Sequence, residues 1–197
     1  MARKAQNLPG GELAEKTIIH GVFLDVHGLG VLLTGDSGVG KSELALELIT
    51  RSHSLIADDA IEFSQEGPNT VRGICPDALR DFLEVRGLGV LNIRAMYGDG
   101  VIKDSMDLHL VVHLERMAPE KIQQVNRLEG CYGKRHILDT QISMATLPVA
   151  SGRNLAVLVE AAVRRHILLR KGYNASDEFI ARQQQLIQLQ QQGPDKK

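Results

Sequence analysis

Between positions 17 and 34 the chain carries three short apolar runs, 17–20, 22–26 and 31–34, parted by glycine, a pattern that predicts strands of one sheet. The third run leads directly into the glycine-rich string TGDSGVGKSE at 34–43. Leu44, Ala45, Leu48 and Ile49 then recur at helical spacing, so a helix over 42–51 starts at the loop. Leu55-Ile56-Ala57 predicts a short strand ending in Asp58-Asp59, and 61–63 continues it past the two carboxylates. Leu79, Phe82 and Leu83 give 76–85 a helix-like spacing, which Gly87-Leu88-Gly89 interrupts before 90–93 resumes as strand or loop. The apolar stretch 107–114, with His109 and His113 interleaved, predicts another strand. A long apolar-faced helix over 154–170 ends at Gly172, and Ser176-Asp177-Glu178 caps a further helix that decays into a Gln-rich tail without predicted order. Residues 1–16 are polar and contain Pro9-Gly10-Gly11, a mobile arm. The expected organisation is therefore an arm at 1–16, one α/β domain at 17–175 and a C-terminal helix with tail at 176–197.

Composition narrows the partners. At 197 residues, 43% of them hydrophobic, the chain can bury one ordinary core. A net charge of -1 supplies no global basic field for nucleic acid or an anionic membrane, so any anion site must be local. No apolar run approaches the ~18 residues of a membrane span, and the basic N-terminus lacks an apolar signal core, so a soluble cytoplasmic protein is expected. Cys75 and Cys131 lack metal-ligand spacing and read as two reduced structural thiols.

The chemistry concentrates in the loop. Gly35, Gly40, Lys41 and Ser42 satisfy GxxxxGK[ST], in which the amides of Gly35, Asp36, Ser37, Gly38, Val39 and Gly40 cradle phosphates, Lys41 reaches the terminal phosphoryl and the Ser42 hydroxyl binds Mg2+. The strand, loop and helix order is the context this motif requires. Asp58 and Asp59 end a strand where a carboxylate reaches the metal; side chains alternate along a strand, so one approaches Mg2+ through water while the other faces an acceptor. His20 ends a strand that neighbours the loop's own, although a lone histidine is more often structural. His109 and His113 have the i, i+4 spacing a helix uses for zinc, but their strand-like setting favours a structural role. Glu84 and Arg86 point the same way if extended, while Gly87 and Gly89 permit close backbone approach to a ligand. PVASGRN at 148–154 leads into the long helix, where the amides near Ser151 and Gly152 receive an anion or Ser151 or Asn154 merely caps; both readings stand.

Taken in order over about 17–179, the strings HGVFLDVHGLGVLLTGDSGVGKSE, LIADD, LEVRGLGVLNI, ILDT and LPVASGRN resemble the catalytic domain of HPr kinase/phosphorylase, the bifunctional bacterial enzyme acting on a serine of the phosphocarrier protein HPr. The resemblance implies an α/β, P-loop-containing, phosphoenolpyruvate carboxykinase-like nucleotide-binding domain, with the loop at its sheet edge. It implies ATP or pyrophosphate as phosphoryl donor on residues 35–42, Mg2+ held by Ser42 and Glu84, and active-site roles for His20 and Lys41. Asp59 becomes the base that takes the serine proton and the acid that returns it in reverse; Arg127, in Asn126-Arg127-Leu128, matches the family's active-site arginine. Asp58, Arg86, Gly87, Gly89, Pro148, Gly152 and Arg153 fall in the substrate and phosphorolysis loops. HPr or a related protein is the implied partner, and a hexamer the implied assembly. Two departures stand out: the chain reaches His20 after a brief arm where relatives commonly carry another domain, and Ala150-Ser151 replaces the usual Arg-Pro. Two other classes compete. One is a nucleotide-hydrolysing switch, against which the missing guanine-reading NKxD string weighs, or a kinase for another protein or a small molecule. The other is a non-catalytic sensor, which would not need Lys41, Asp59 and Glu84 together.

Overall fold

A computed structural model describes residues 15–191 other than Val125 and Arg127. The first runs form β1 (Lys16–Val26) and β2 (Leu29–Gly35), an antiparallel pair, and α1 (Lys41–Thr50) follows the loop. The two expected pieces around Asp58 and Asp59 are one long strand, β3 (Ser54–Gly67), followed by β4 (Thr70–Ile74). The helix expected over 76–85 is not formed. A single 3-10 turn at Asp77–Leu79 precedes β5 (Phe82–Val85), which pairs antiparallel with β6 (Gly89–Asn92) and leads into the short α2 (Ile93–Tyr97). Leu83 and Val85 are buried while Phe82 and Glu84 are exposed, so period two overrides the i, i+3, i+4 spacing of Leu79, Phe82 and Leu83. The chain continues through β7 (Ser105–Arg116), α3 (Pro119–Gln124), β8 (Tyr132–Ile137), β9 (Thr140–Val149), α4 (Leu155–Arg170) and α5 (Ala175–Gln191). The expected arm lies almost wholly outside the described residues, as does the end of the tail; the Gln-rich segment up to Gln191 is helical, contrary to expectation.

Seven strands form one sheet in the order β2-β1-β3-β4-β7-β9-β8. β2 also pairs in parallel with β7, so five strands close into a ring. The loop-bearing strand therefore has a partner on each side and is not at a sheet edge, which corrects that expectation. The ring explains the unbroken apolar runs. Val22, Leu24, Val26, Val31 and Leu33 face one core with Leu44 and Leu48 of α1 and Val159 and Val163 of α4. Phe23, Leu32, Ile56 and Phe63 fill the other. Strands buried on both faces carry no polar alternation. Phe23 meets Phe63 edge to face, centroids 5.4 Å apart, an arrangement worth about 0.5–1.5 kcal/mol beyond the area it hides.

The register positions the chemistry. Val22 pairs with Leu33 of β2 on one side and Asp58 of β3 on the other, and Gly21 pairs with Asp59. The two aspartates thus sit two strands from the end of β2, where the loop begins. A Cβ on Gly21 would stand 2.4 Å from the Leu33 carbonyl oxygen, so this close approach admits glycine alone. Asn154 caps α4 by accepting from the Val157 amide at 3.0 Å. At α5 it is Asn174, rather than Ser176, that receives a first-turn amide, that of Ser176 at 3.2 Å. Among the described residues no helix is long and apolar enough to cross a membrane.

Candidate active site

Gly38 and Gly40 turn the loop after β2 with φ of 72° and 103°, and α1 starts at Lys41. Side chains disfavour that left-handed backbone, and at Gly38 a Cβ would also lie 2.8 Å from Arg86 Nη1. The Lys41 Nζ donates to the carbonyls of Gly35 at 2.9 Å and Asp36 at 3.1 Å, so its charge rests on the loop's own oxygens. Arg116 at the end of β7 donates Nη2 to the Gly38 carbonyl at 2.5 Å. Two guanidinium groups therefore come close to Gly38.

The two aspartates occupy different environments. Asp58 is buried, and its Oδ2 accepts the Glu84 amide at 3.0 Å, which ties β3 to β5. Burial raises its pKa above the ordinary carboxylate range, an effect the Glu84 and Asp59 amides partly oppose. Asp59 adopts φ of 67°, a strained backbone for a non-glycine residue in a strand, and its side chain is 76% exposed. His20 stands beside it: Nδ1 donates to the Asp59 carbonyl at 3.1 Å and lies 3.5 Å from Oδ1.

These groups share one open cleft of about 390 Å3. Its walls include Lys41 and Ser42 from the loop, His20 from β1, Asp58 and Asp59 from β3, and Glu84 and Arg86 from β5 and the turn after it. Gly35, Ser37, Gly38 and Gly40 also line it. Asp36 lies outside that lining, and Val39 packs into the core at 5% exposure, its amide bonded to the Asp36 carbonyl. Gly87 and Gly89 form the tip of the β5–β6 hairpin, away from the cleft walls. Pro148, Gly152 and Arg153 are elsewhere too: Gly152 and Arg153 border a second cavity of about 640 Å3, which meets the first only at Gly40 and Glu43. Arg127 lies outside the described residues. The strand histidines are occupied within the sheet, His109 Nδ1 accepting the Gly30 amide and His113 Nδ1 paired with Thr34 Oγ1, each at 3.1 Å. Sequence reasoning passed over Gly21, Glu43 and Arg116. The first two adjoin recognised motifs, whereas Arg116 reaches the loop only through the β2–β7 pairing, which leaves no local signal.

The family model of the HPr Serine kinase C-terminal domain matches residues 11–183. Proteins named HPr kinase/phosphorylase from Stenotrophomonas maltophilia (strain K279a) and Xanthomonas campestris pv. campestris (strain B100) are each 52% identical over 177 residues, covering 89% of this chain and 56% of the relative. The chain thus spans about half the length of the curated relatives it matches. A solved structure of the Hpr(Ser) kinase/phosphatase from Coxiella burnetii superposes with a TM-score of 0.74 at 34% identity, covering 83% of this chain and 98% of that one. The α/β, P-loop-containing, phosphoenolpyruvate carboxykinase-like fold is shared with it. With its loop, paired aspartates and ring of strands in this arrangement, the chain belongs to the HPr serine kinase C-terminal domain family.

Proposed function

We propose that this chain is the catalytic domain of a serine protein kinase/phosphorylase that transfers a phosphoryl group from ATP or pyrophosphate to a serine of the phosphocarrier protein HPr or a related protein. The observation that carries the reading is the exposed Asp59, beside His20, in the same cleft as Lys41 and the phosphate loop. A carboxylate open to solvent and facing a phosphate cradle has room for a polypeptide hydroxyl between the two. The names of the relatives support the same reaction and acceptor.

In the forward direction the serine oxygen attacks the terminal phosphorus, its proton passes to Asp59, and the bond to the donor's bridging oxygen breaks. In reverse, inorganic phosphate attacks phosphoserine, the serine oxygen departs with the proton from Asp59, and pyrophosphate forms. Lys41 exchanges the Gly35 and Asp36 carbonyls for phosphate oxygens and meets the charge that develops there. His20 holds Asp59 from one side. Ser42 and Glu84 both line the cleft and offer a hydroxyl and a carboxylate oxygen, the hard donor set that suits Mg2+. When bound there, Mg2+ supplies neutralisation of the phosphates. Arg127 remains the proposed additional cation. The setting is the cytoplasm, where nucleotide and carrier protein meet, and the assembly a homo-hexamer.

Incubation with radiolabelled ATP, Mg2+ and candidate carrier proteins, followed by mapping of the label, tests the reading. Label on one serine of the carrier is expected, and Lys41→Ala and Asp59→Asn, still folded, should each lose at least ~100-fold in transfer rate. Nucleotide turnover indifferent to added protein, or full transfer by Asp59→Asn, would overturn it.

A further inference from the structure

At the opposite end of α1 from the phosphate loop, three elements bring together a second set of ligand-type side chains. His27 sits in the turn between β1 and β2, His53 follows the end of α1 and is 5% exposed, and Glu160 projects from α4. One ligand atom from each falls within 4.8 Å of the others. His53 Nε2 is already 3.1 Å from Glu160 Oε1, and the two imidazole rings meet edge to face with centroids 4.7 Å apart. Beside them opens a cavity of about 350 Å3, walled by Asp25, His27, Arg51 and His53. None of the three residues belongs to the cleft described above.

We propose that His27, His53 and Glu160 form a binding site for a divalent transition-metal ion of the zinc type, with a fourth position open to the adjoining cavity. Zinc takes histidine nitrogen at about 2.0–2.1 Å and carboxylate oxygen at about 2.0–2.2 Å, so tetrahedral ligand atoms stand roughly 3.3 Å apart. The His53–Glu160 contact has that spacing, and turning the His27 ring closes the remainder. The ion takes the place of the proton that His53 and Glu160 now share. Two imidazoles and one carboxylate suit zinc, copper or nickel and not Mg2+, so this site does not compete for the ion of the phosphate cleft.

Charge limits its strength. Arg51 donates Nε to Glu160 Oε1 at 3.0 Å and Nη2 to Oε2 at 2.7 Å, and Arg164 lies close enough to His27 to add positive field. An ion at Oε1 leaves Arg51 its bond to Oε2 and costs it the other. Asp25, on the cavity wall, offsets only part of that field, because its carboxylate already pairs with Lys103 and accepts the Gly28 amide. Filling the site ties the β1–β2 turn, the end of α1 and the middle of α4 to one another. Because α1 begins at the phosphate loop about 15 Å away along its axis, the ion stiffens the helix that carries that loop.

The test uses the untagged, chelator-treated chain titrated with Zn2+ by calorimetry and with Co2+ by visible absorption. The expected result is one equivalent that disappears in His27→Asn, with tetrahedral Co2+ bands lost together with it and a zinc-dependent rise in Tm abolished. Asparagine tolerates the left-handed turn at position 27, where φ is 52°, so that variant should keep its fold. Arg51→Gln, which frees Oε1, should bind at least ~3-fold more tightly, whereas a purely structural ion pair would not sharpen a metal affinity. Glu84→Gln, which removes the carboxylate ligand proposed for the catalytic cleft, should leave this equivalent unchanged, which separates it from binding there. An unchanged stoichiometry in folded His27→Asn, or looser binding in Arg51→Gln, would overturn the site.

Discussion

Two neighbouring aspartates show how far environment divides identical side chains. Asp59 is lifted into solvent by its left-handed backbone, whereas Asp58 is drawn under the Glu84 amide and loses water. In the unfolded chain Asp58 ionises at the ordinary value of 3.8; in the folded chain burial delays ionisation to higher pH. Below 3.8 the carboxyl is neutral in both states and burial carries no charge cost. As pH rises past that value the unfolded state is favoured increasingly, until the folded carboxyl has ionised too. Asp58→Asn, which stays neutral and keeps an oxygen for the Glu84 amide, should therefore melt at higher temperature than the parent at pH 7 in EDTA. The gain should shrink toward nothing near pH 3. Equal melting temperatures at both pH values would refute the assignment. The adjacency of Asp58 and Asp59 was readable in the sequence, but their division of environment was not, because it depends on an amide 26 positions away.

At the scale of elements, the strand–loop–helix unit around Lys41, the strand 105–116 and the helix 155–170 were legible because long, regular apolar patterns announce them. The hairpin at 82–92 was misread, since four-residue strands give too few alternations to outvote three apolar residues at helical spacing. Arg116 was invisible for another reason: nothing local marks an arginine at a strand end as a support for a loop 78 positions earlier. Arg116→Ala removes one charge-assisted bond to the Gly38 carbonyl and should weaken nucleotide binding about tenfold, with little change in Tm. Unaltered nucleotide affinity would show that the loop holds its shape without this prop. The segment before α4 carries Ala150 where the family pattern has arginine, so a cation is missing from a stretch assigned to phosphorolysis by resemblance. Restoring it with Ala150→Arg should raise phosphorolysis relative to phosphorylation; an unmoved ratio of the two rates would dismiss the residue as a determinant of direction.

Across the whole molecule, the chain's membership in its family rests on order as much as on identity: loop, aspartate pair, hairpin and helix follow one another as the ring of strands requires. That closure was the least legible feature. It arises from β2 pairing with β7, strands with the whole of 36–104 between them, α1 included, and pairing partners leave no periodic trace in either strand. It also has a consequence for how the protein comes apart. Val31, Leu32 and Leu33 lie fully inside, in a strand hydrogen-bonded to β1 on one side and β7 on the other, while the outward residues of α5, such as Leu186 and Leu189, are largely in water. Deuterium should therefore enter the amides of α5 within seconds and those of positions 31–33 last of all, near the rate of complete unfolding. A strand so anchored would let α5 fray long before the loop that follows the strand loses its footing.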